Sequence, residues 1–295
     1  MDSKELLSKI RRIEIKTRRM TSQVFAGEYH SAFKGQGMAF SEVREYQYGD
    51  PIRNIDWNVT ARFNRPFIKV FEEERELTVM LLVDVSGSNE FGTAENLKRE
   101  YMTEVAAVIA FSAIQNNDKI GVIFFTDQIE KFIPPKKGKK HIMRIILELL
   151  NFQPERKTTD VSNALKYLTN AIKKRSTAFL LSDFIETGVS NEELQNSLTL
   201  ANKKHDLVGL LIQDKGEFSL PNIGLSQFRD PETGEIIWID TSDKKLKQKL
   251  SNWWNQRNID LDESFRRSGV DYATIQTDQD YVQPLMKLFK RRGQR

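Results

Sequence analysis

The sequence predicts an α/β protein, a doubly wound and mostly parallel sheet preceded by a small β-containing N-terminal subdomain. Three observations predict it. From Leu77 onward, short continuous apolar runs recur, of the kind that marks strands buried on both faces. Stretches with apolar residues at helical spacing separate these runs. Several runs end in small polar or acidic residues, as strands do where they deliver a functional loop.

Residues 3–20 read as a helix, with Leu6, Ile10 and Ile13 on one face. Between Phe25 and Glu74 the chain is rich in Gly, aromatic and polar residues, and Phe67–Phe71 reads as a strand. Gly49-Asp50 suits a turn, and Trp57 reads as a packing anchor. The first buried strand is expected at Leu77–Val83, followed by a long helix over 94–116. Ile120–Phe125 is a second strand. A short third, Ile129–Ile133, is expected to end at Pro134-Pro135. Helices over 139–151 and 160–174 precede a strand at Ala178–Leu181. A helix over 191–203 leads to a strand at Leu207–Ile212. Pro231–Gly234 marks a hairpin turn with Ile236–Ile239 as its return strand. The helix over 243–267 carries Trp253 and Trp254 among leucines, with one or both in the core. A strand at Val270–Ile275 and a helix over 280–291 complete the chain. The expected division is 1–74, helix and irregular subdomain, and 75–295, the α/β domain.

Composition narrows the chemistry. The 295 residues are 39% hydrophobic and 29% charged, a balance that supports a sizeable core. The absence of cysteine excludes disulfides, thiolate zinc sites and cysteine nucleophiles. Met1–Met20 has no apolar core of a secretory signal. The longest helix-like apolar run, Val105–Ile114, is about half the roughly 20 residues of a spanning helix. A soluble, cytoplasmic protein is therefore expected. The net charge of +4 concentrates at Lys4, Lys9, Arg11, Arg12, Lys16, Arg18 and Arg19 and at the C-terminal end. Such an arm could bind nucleic acid or an anionic membrane. No aromatic-plus-basic module follows it, and it is read as a solvated helix face.

In a doubly wound sheet, ligands bind outside the carboxyl ends of the strands. The segments to inspect are Asp84-Val85-Ser86-Gly87-Ser88, Thr158-Thr159-Asp160 and Ser182-Asp183. Alternate residues of an extended loop can point one way, so Asp84, Ser86 and Ser88 can offer three oxygens to one point, with Gly87 permitting a tight bend. Carboxylate and hydroxyl oxygens are hard ligands suited to Mg²⁺ or Mn²⁺. Thr159 and Asp160 also fit as N-caps of the helix that follows.

This set resembles the metal-ion-dependent adhesion site of von Willebrand factor A domains: Asp-x-Ser-x-Ser on a first loop, Thr on a second and Asp on a third. The resemblance implies a divalent cation, Mg²⁺ first and Mn²⁺ or Ca²⁺ as alternatives, held by Asp84, Ser86, Ser88, Thr159 and Asp183. Thr158 is the alternative to Thr159, because Lys157-Thr158 stands where the family has glycines. The usual third-loop Thr-Asp-Gly is here Ser182-Asp183-Phe184. Upstream, Arg44-Glu45-Tyr46, Gly49-Asp50, Arg53, Ile55-Asp56-Trp57, Ala61-Arg62, Lys69 and Phe71-Glu72 resemble the signature of the domain of unknown function 58 family. That resemblance covers roughly Phe25 to the C-terminal end. It implies a von Willebrand A-like domain and a working partnership with a MoxR-type AAA+ ATPase.

The resulting expectation is a non-enzymatic, metal-dependent protein-interaction module that meets an acidic side chain of its partner during assembly or maturation of a client. The alternative is a metal-dependent phosphoesterase at the same site. Haloacid dehalogenase-type phosphatases need Asp-x-Asp, and Ser86 stands where their general acid would be. No phosphate-cradling Gly-x-x-x-x-Gly-Lys-Ser/Thr loop is present.

Overall fold

The computed structural model describes residues 23–33, 39–72, 76–92, 97–185, 190–218, 221–230, 232 and 234–294. The helix expected over 3–20, with its basic arm, lies outside these residues. The chain divides into two units, residues 34–77 and the remainder.

The large unit is built on a six-stranded sheet. Its strands are β3 (Thr78–Asp84), β4 (Lys119–Phe125), β5 (Ile129–Lys136), β6 (Thr177–Ser182), β7 (Asp206–Gln213) and β10 (Asp271–Gln276). The order across the sheet is β10-β7-β6-β3-β4-β5, parallel throughout except for β5, which runs antiparallel along β4. The chain leaves β3 toward β4 and β5, then returns to the other side of β3 with β6. The order therefore reverses between β3 and β6, the place where doubly wound sheets open a crevice. Val83 pairs with both Phe124 and Leu181, so the three central strands end level.

The apolar runs explain this sheet. Val79, Met80, Leu81, Leu82 and Val83 are all buried, each contributing about 1.5–3 kcal/mol by leaving water. Helix α3 (Lys98–Gln115) is buried almost all round, from Tyr101 through Ala113, as a helix inside a layered core must be. Helices α4 (Lys139–Asn151), α5 (Val161–Ala171) and α6 (Asn191–Lys204) carry one apolar face each. Gly209 lies on β7 under helix α8 (Lys244–Ser268), and a Cβ there would stand 2.7 Å from the Phe265 ring. The missing side chain lets Phe265 close on the sheet and stack on Tyr272.

Three readings need correction, the last of them in the small unit. Pro134 and Pro135 do not end the third strand, which runs to Lys136. Strand β5 is an edge, where a residue without an N–H costs no ladder bond on its open side. Helix α1 (Gln23–Ala32), grouped by the sequence with the N-terminal subdomain, packs in the large unit against α9 (Val282–Gly293). Tyr29 and Phe33 both meet Phe289 edge-on there. Trp254 is buried while Trp253 is half exposed. The hairpin strands β8 (Leu225–Arg229) and β9 (Ile236–Asp240) pair with each other apart from the main sheet.

The small unit pairs β1 (Ala39–Glu45) antiparallel with β2 (Phe67–Glu72), with a register shift between Phe40 and Glu42. Asp56 caps α2 (Trp57–Phe63) by accepting from Asn58 N and Val59 N, and Asn64 ends it in the left-handed region at φ 55°. Arg44 grips Asp50 through two bonds of 2.8 Å. Trp57 is not the anchor that the sequence suggests. It lies on the first turn of a short helix, 67% exposed.

Candidate metal centre

Three loops carry the five residues singled out by sequence: those that follow β3 and β6 at their carboxyl ends, and the one that joins α4 to α5. The first loop is tied at both ends. Val85 N donates to Phe125 O (2.9 Å), and Gly87 N donates to Lys157 O (2.8 Å), joining the first loop to the second. Asp84 Oδ1 accepts from Ser86 N at 2.9 Å, a local turn that short acidic side chains favour. The Ser86 and Ser88 hydroxyls stand 3.1 Å apart. Asn89 Nδ2 donates to Asp84 O and to Ser86 Oγ. Asp84, Ser86 and Ser88 are all buried.

The second loop is held from below by Glu130 on β5. Its carboxylate accepts from the backbone N–H of Glu155 and Arg156, each at 3.1 Å, and from Thr126 Oγ1 at 2.9 Å. These donors hold Glu130 below the usual range against the upward push of its own burial. Asp160 N donates to Thr126 O, and Asp160 caps α5 by accepting from Asn163 N at 2.8 Å. Thr159 is buried and its Oγ1 has no hydrogen-bond partner, whereas Thr158 is half-buried. A buried hydroxyl without a partner is uncommon in a settled interior.

The third loop carries the charge. Ser182 Oγ donates to Asp84 Oδ2 at 2.6 Å and accepts from Phe184 N at 2.9 Å. Asp183 Oδ1 accepts from Ile185 N (2.9 Å), and Asp183 Oδ2 accepts from Lys98 Nζ at 2.6 Å. Lys98 is fully buried and also donates to Glu217 Oε1 at 2.6 Å. Arg257, on α8 against Trp253 and Trp254, donates to the carbonyls of Asp183 and Phe184. Phe184 stands where the related motif has glycine, and it adopts φ 56°. Its ring meets Phe265 edge-on at 5.2 Å.

The two acids differ electrostatically. Burial, with the charge of Asp183 next, pushes Asp84 up to about 6 despite its bonds from Ser182 and Ser86. Burial also pushes Asp183 upward, but Lys98 outweighs it and holds that carboxyl below the ordinary range. Lys98 in turn is held above its ordinary value by Asp183 and Glu217, against burial. It is therefore an ammonium inside the protein. Burial leaves Glu217 raised, with Lys98 opposing.

These residues fit a hard divalent cation: two carboxylates and three hydroxyls, of which Thr159 Oγ1 has no hydrogen-bond partner. Among the described residues no group of three or more His, Cys, Asp and Glu could hold a metal, so a cation here would depend on hydroxyl oxygens. Sequence reasoning missed Lys98, Glu217, Arg257, Asn89 and Glu130. One signal was present for Lys98. A lysine in the first turn of a helix opposes the helix dipole, and it stays there only with a partner.

The profile described as "Protein of unknown function DUF58" matches residues 42–258. The chain belongs to the DUF58 family. A relative from Mycobacterium tuberculosis (strain ATCC 25618 / H37Rv), the uncharacterized protein Rv1480, is 26% identical over 298 residues, covering 99% of this chain and 92% of its own. The uncharacterized protein YeaD of Bacillus subtilis (strain 168) is 28% identical over 109 residues, 37% of this chain and 25% of its own. Among solved structures, the conserved hypothetical protein BatB of Bacteroides thetaiotaomicron has a TM-score of 0.48 at 13% identity, covering 74% of this chain and 100% of its own. The SpRpn10 VWA domain has a TM-score of 0.42 at 11% identity, covering 72% of this chain and 94% of its own. In this DUF58 protein, the three loops lie at the β3–β6 reversal of the sheet order.

Proposed function

We propose that this DUF58 protein is a non-enzymatic protein-interaction module whose three loops hold a divalent cation, Mg²⁺ in the first place, and offer it to an acidic side chain of a partner. The observation that carries the reading is the unpartnered, buried Thr159 hydroxyl, on a loop tied by Gly87 N and Lys157 O to the one that carries buried Asp84, at the reversal of the sheet. Asp84 and Asp183 supply charge, and Ser86, Ser88 and Thr159 supply neutral oxygens. A bound cation there would be a Lewis-acidic position for an anionic oxygen. Mg²⁺ suits a site with few charges, because it keeps water that an incoming carboxylate can replace.

The partner we propose, by family resemblance, is a MoxR-type AAA+ ATPase, with the pair acting in the cytoplasm on assembly or maturation of a client. Support for a binding role over phosphoester hydrolysis comes from the side chains around the site. His141 bonds Ile120 O and His205 bonds Ser176 Oγ, both near the amino ends of the strands and away from the loops. The acids at the loops are each engaged by a protein donor. The test is binding to the ATPase with Mg²⁺, with EDTA, and with Asp84→Ala. Affinity lost in the latter two supports the cation bridge, and unchanged affinity in both rejects it. Phosphate-ester turnover abolished by Asp84→Ala would favour the hydrolase instead.

A further inference from the structure

Among the described residues, Lys98 is the one fully buried ammonium that touches a residue of the proposed cation site. It sits on the first turn of α3 and spans two loops, 2.6 Å from Asp183 on the third loop and 2.6 Å from Glu217 on α7 (Lys215–Phe218). Glu217 is fixed in its turn, because its Oε2 accepts from Asp214 N at 3.0 Å and its own N donates to Asp214 O. One and two turns along the same helix, Met102 and Val105 are buried and apolar, so Asp183 and Glu217 are the partners that hold the charge at position 98. A buried ion pair is expensive to maintain, so what it does to its neighbours is the question.

From the charge balance of this cluster we infer that the Lys98–Glu217 pair sets the charge of the cation site. This inference rests on the cation reading of the same loops. Asp84, Asp183 and Glu217 carry three negative charges when ionised, and Lys98 carries one positive. A divalent cation brings the four-residue cluster to neutrality. Without Lys98 the loaded cluster would stay anionic. It would hold the cation harder and repel the carboxylate it is meant to receive. Without Glu217 the loaded cluster would be cationic and would hold the metal less well. Lys98 does not touch the cation. It acts through Asp183, whose Oδ2 it occupies, and Glu217 acts through Lys98. In a buried site such charges are weakly screened, so each is worth a large change in cation affinity.

The test is calorimetric titration of the full chain with Mn²⁺ alone, for wild type, Lys98→Met, Glu217→Gln and the double variant. The expected order is opposite for the two single changes. Lys98→Met binds Mn²⁺ on the order of tenfold tighter than wild type, and Glu217→Gln on the order of tenfold weaker. The double variant returns close to wild type, because one charge of each sign has been removed. Glu217→Gln keeps the Lys98–Asp183 bond and reports even where Lys98→Met does not fold. Equal affinities in wild type, Glu217→Gln and the double variant overturn the charge-setting role while leaving the cation site standing. Tighter binding by Glu217→Gln overturns it as well. No Mn²⁺ binding by wild type overturns the cation reading and this inference together.

Discussion

Phe184 concentrates the local cost of the site in one residue. An L-residue in the left-handed region is disfavoured by roughly 1–2 kcal/mol, and Phe184 sits there at φ 56°. The Ser182 hydroxyl, the Arg257 guanidinium and the edge-on contact with Phe265 hold it in place. Phe184→Ala loses the ring and keeps the strain, while Phe184→Gly loses the ring and relieves it. Urea unfolding should therefore find the glycine variant more stable than the alanine variant by about 1 kcal/mol, the reverse of the order at an ordinary position. Asp84 makes a second prediction. Its folded pKa of about 6 lies above the ordinary 3.8, so the folded state binds the extra proton. That contribution to stability is present at low pH and is lost as pH rises through about 6. His205 opposes it: burial lowers its pKa to about 4, so its contribution is present at neutral pH and is lost on acidification. In EDTA, wild type should gain on Asp84→Asn by up to about 1.4 kcal/mol per pH unit as pH falls from about 7 to 5. A constant difference between them would contradict the assignment. Asp84, Ser86 and Ser88 were legible in the sequence because they follow an apolar run. The strain at Phe184 was not, because a phenylalanine gives no cue to a positive φ.

At the scale of elements, the second loop depends on a strand that belongs to the edge of the sheet. Glu130 on β5 receives two backbone N–H groups of the loop and the hydroxyl of Thr126. Glu130→Ala frees that loop while leaving every proposed ligand in place. It should raise the dissociation constant for Mn²⁺ several-fold in calorimetry, and unchanged affinity would show that the loop holds its shape without it. The central strands were legible because burial on both faces leaves an apolar run with no alternation. The edge strand was read too short, because proline stops a strand only where its missing N–H is needed. Trp57 was misplaced for a related reason: a large aromatic residue is more often inside than outside, and nothing in its neighbours marks a short, exposed helix.

For the molecule as a whole, the decisive feature is where the chain turns back. The connections leaving β3 and β6 run in opposite directions across the sheet, and the crevice between them gathers loops separated by about a hundred residues of sequence into one cluster of oxygens. The strand–helix alternation made the sheet legible, and the loop residues made the cluster's composition legible. The buried ammonium at its rear was not, because Lys98 meets Asp183 and Glu217 only through the fold. No helix among the described residues is long and apolar enough to cross a membrane. The central claim is a divalent cation on Asp84 and its neighbours, and thermal unfolding with and without Mg²⁺ tests it most directly. A ligand of the folded state stabilises it by about 2.7 kcal/mol at a hundred times its dissociation constant. Wild type should therefore melt several degrees higher in saturating Mg²⁺, and Asp84→Ala should not respond. An unchanged melting temperature for wild type, or an equal rise in Asp84→Ala, would contradict the account.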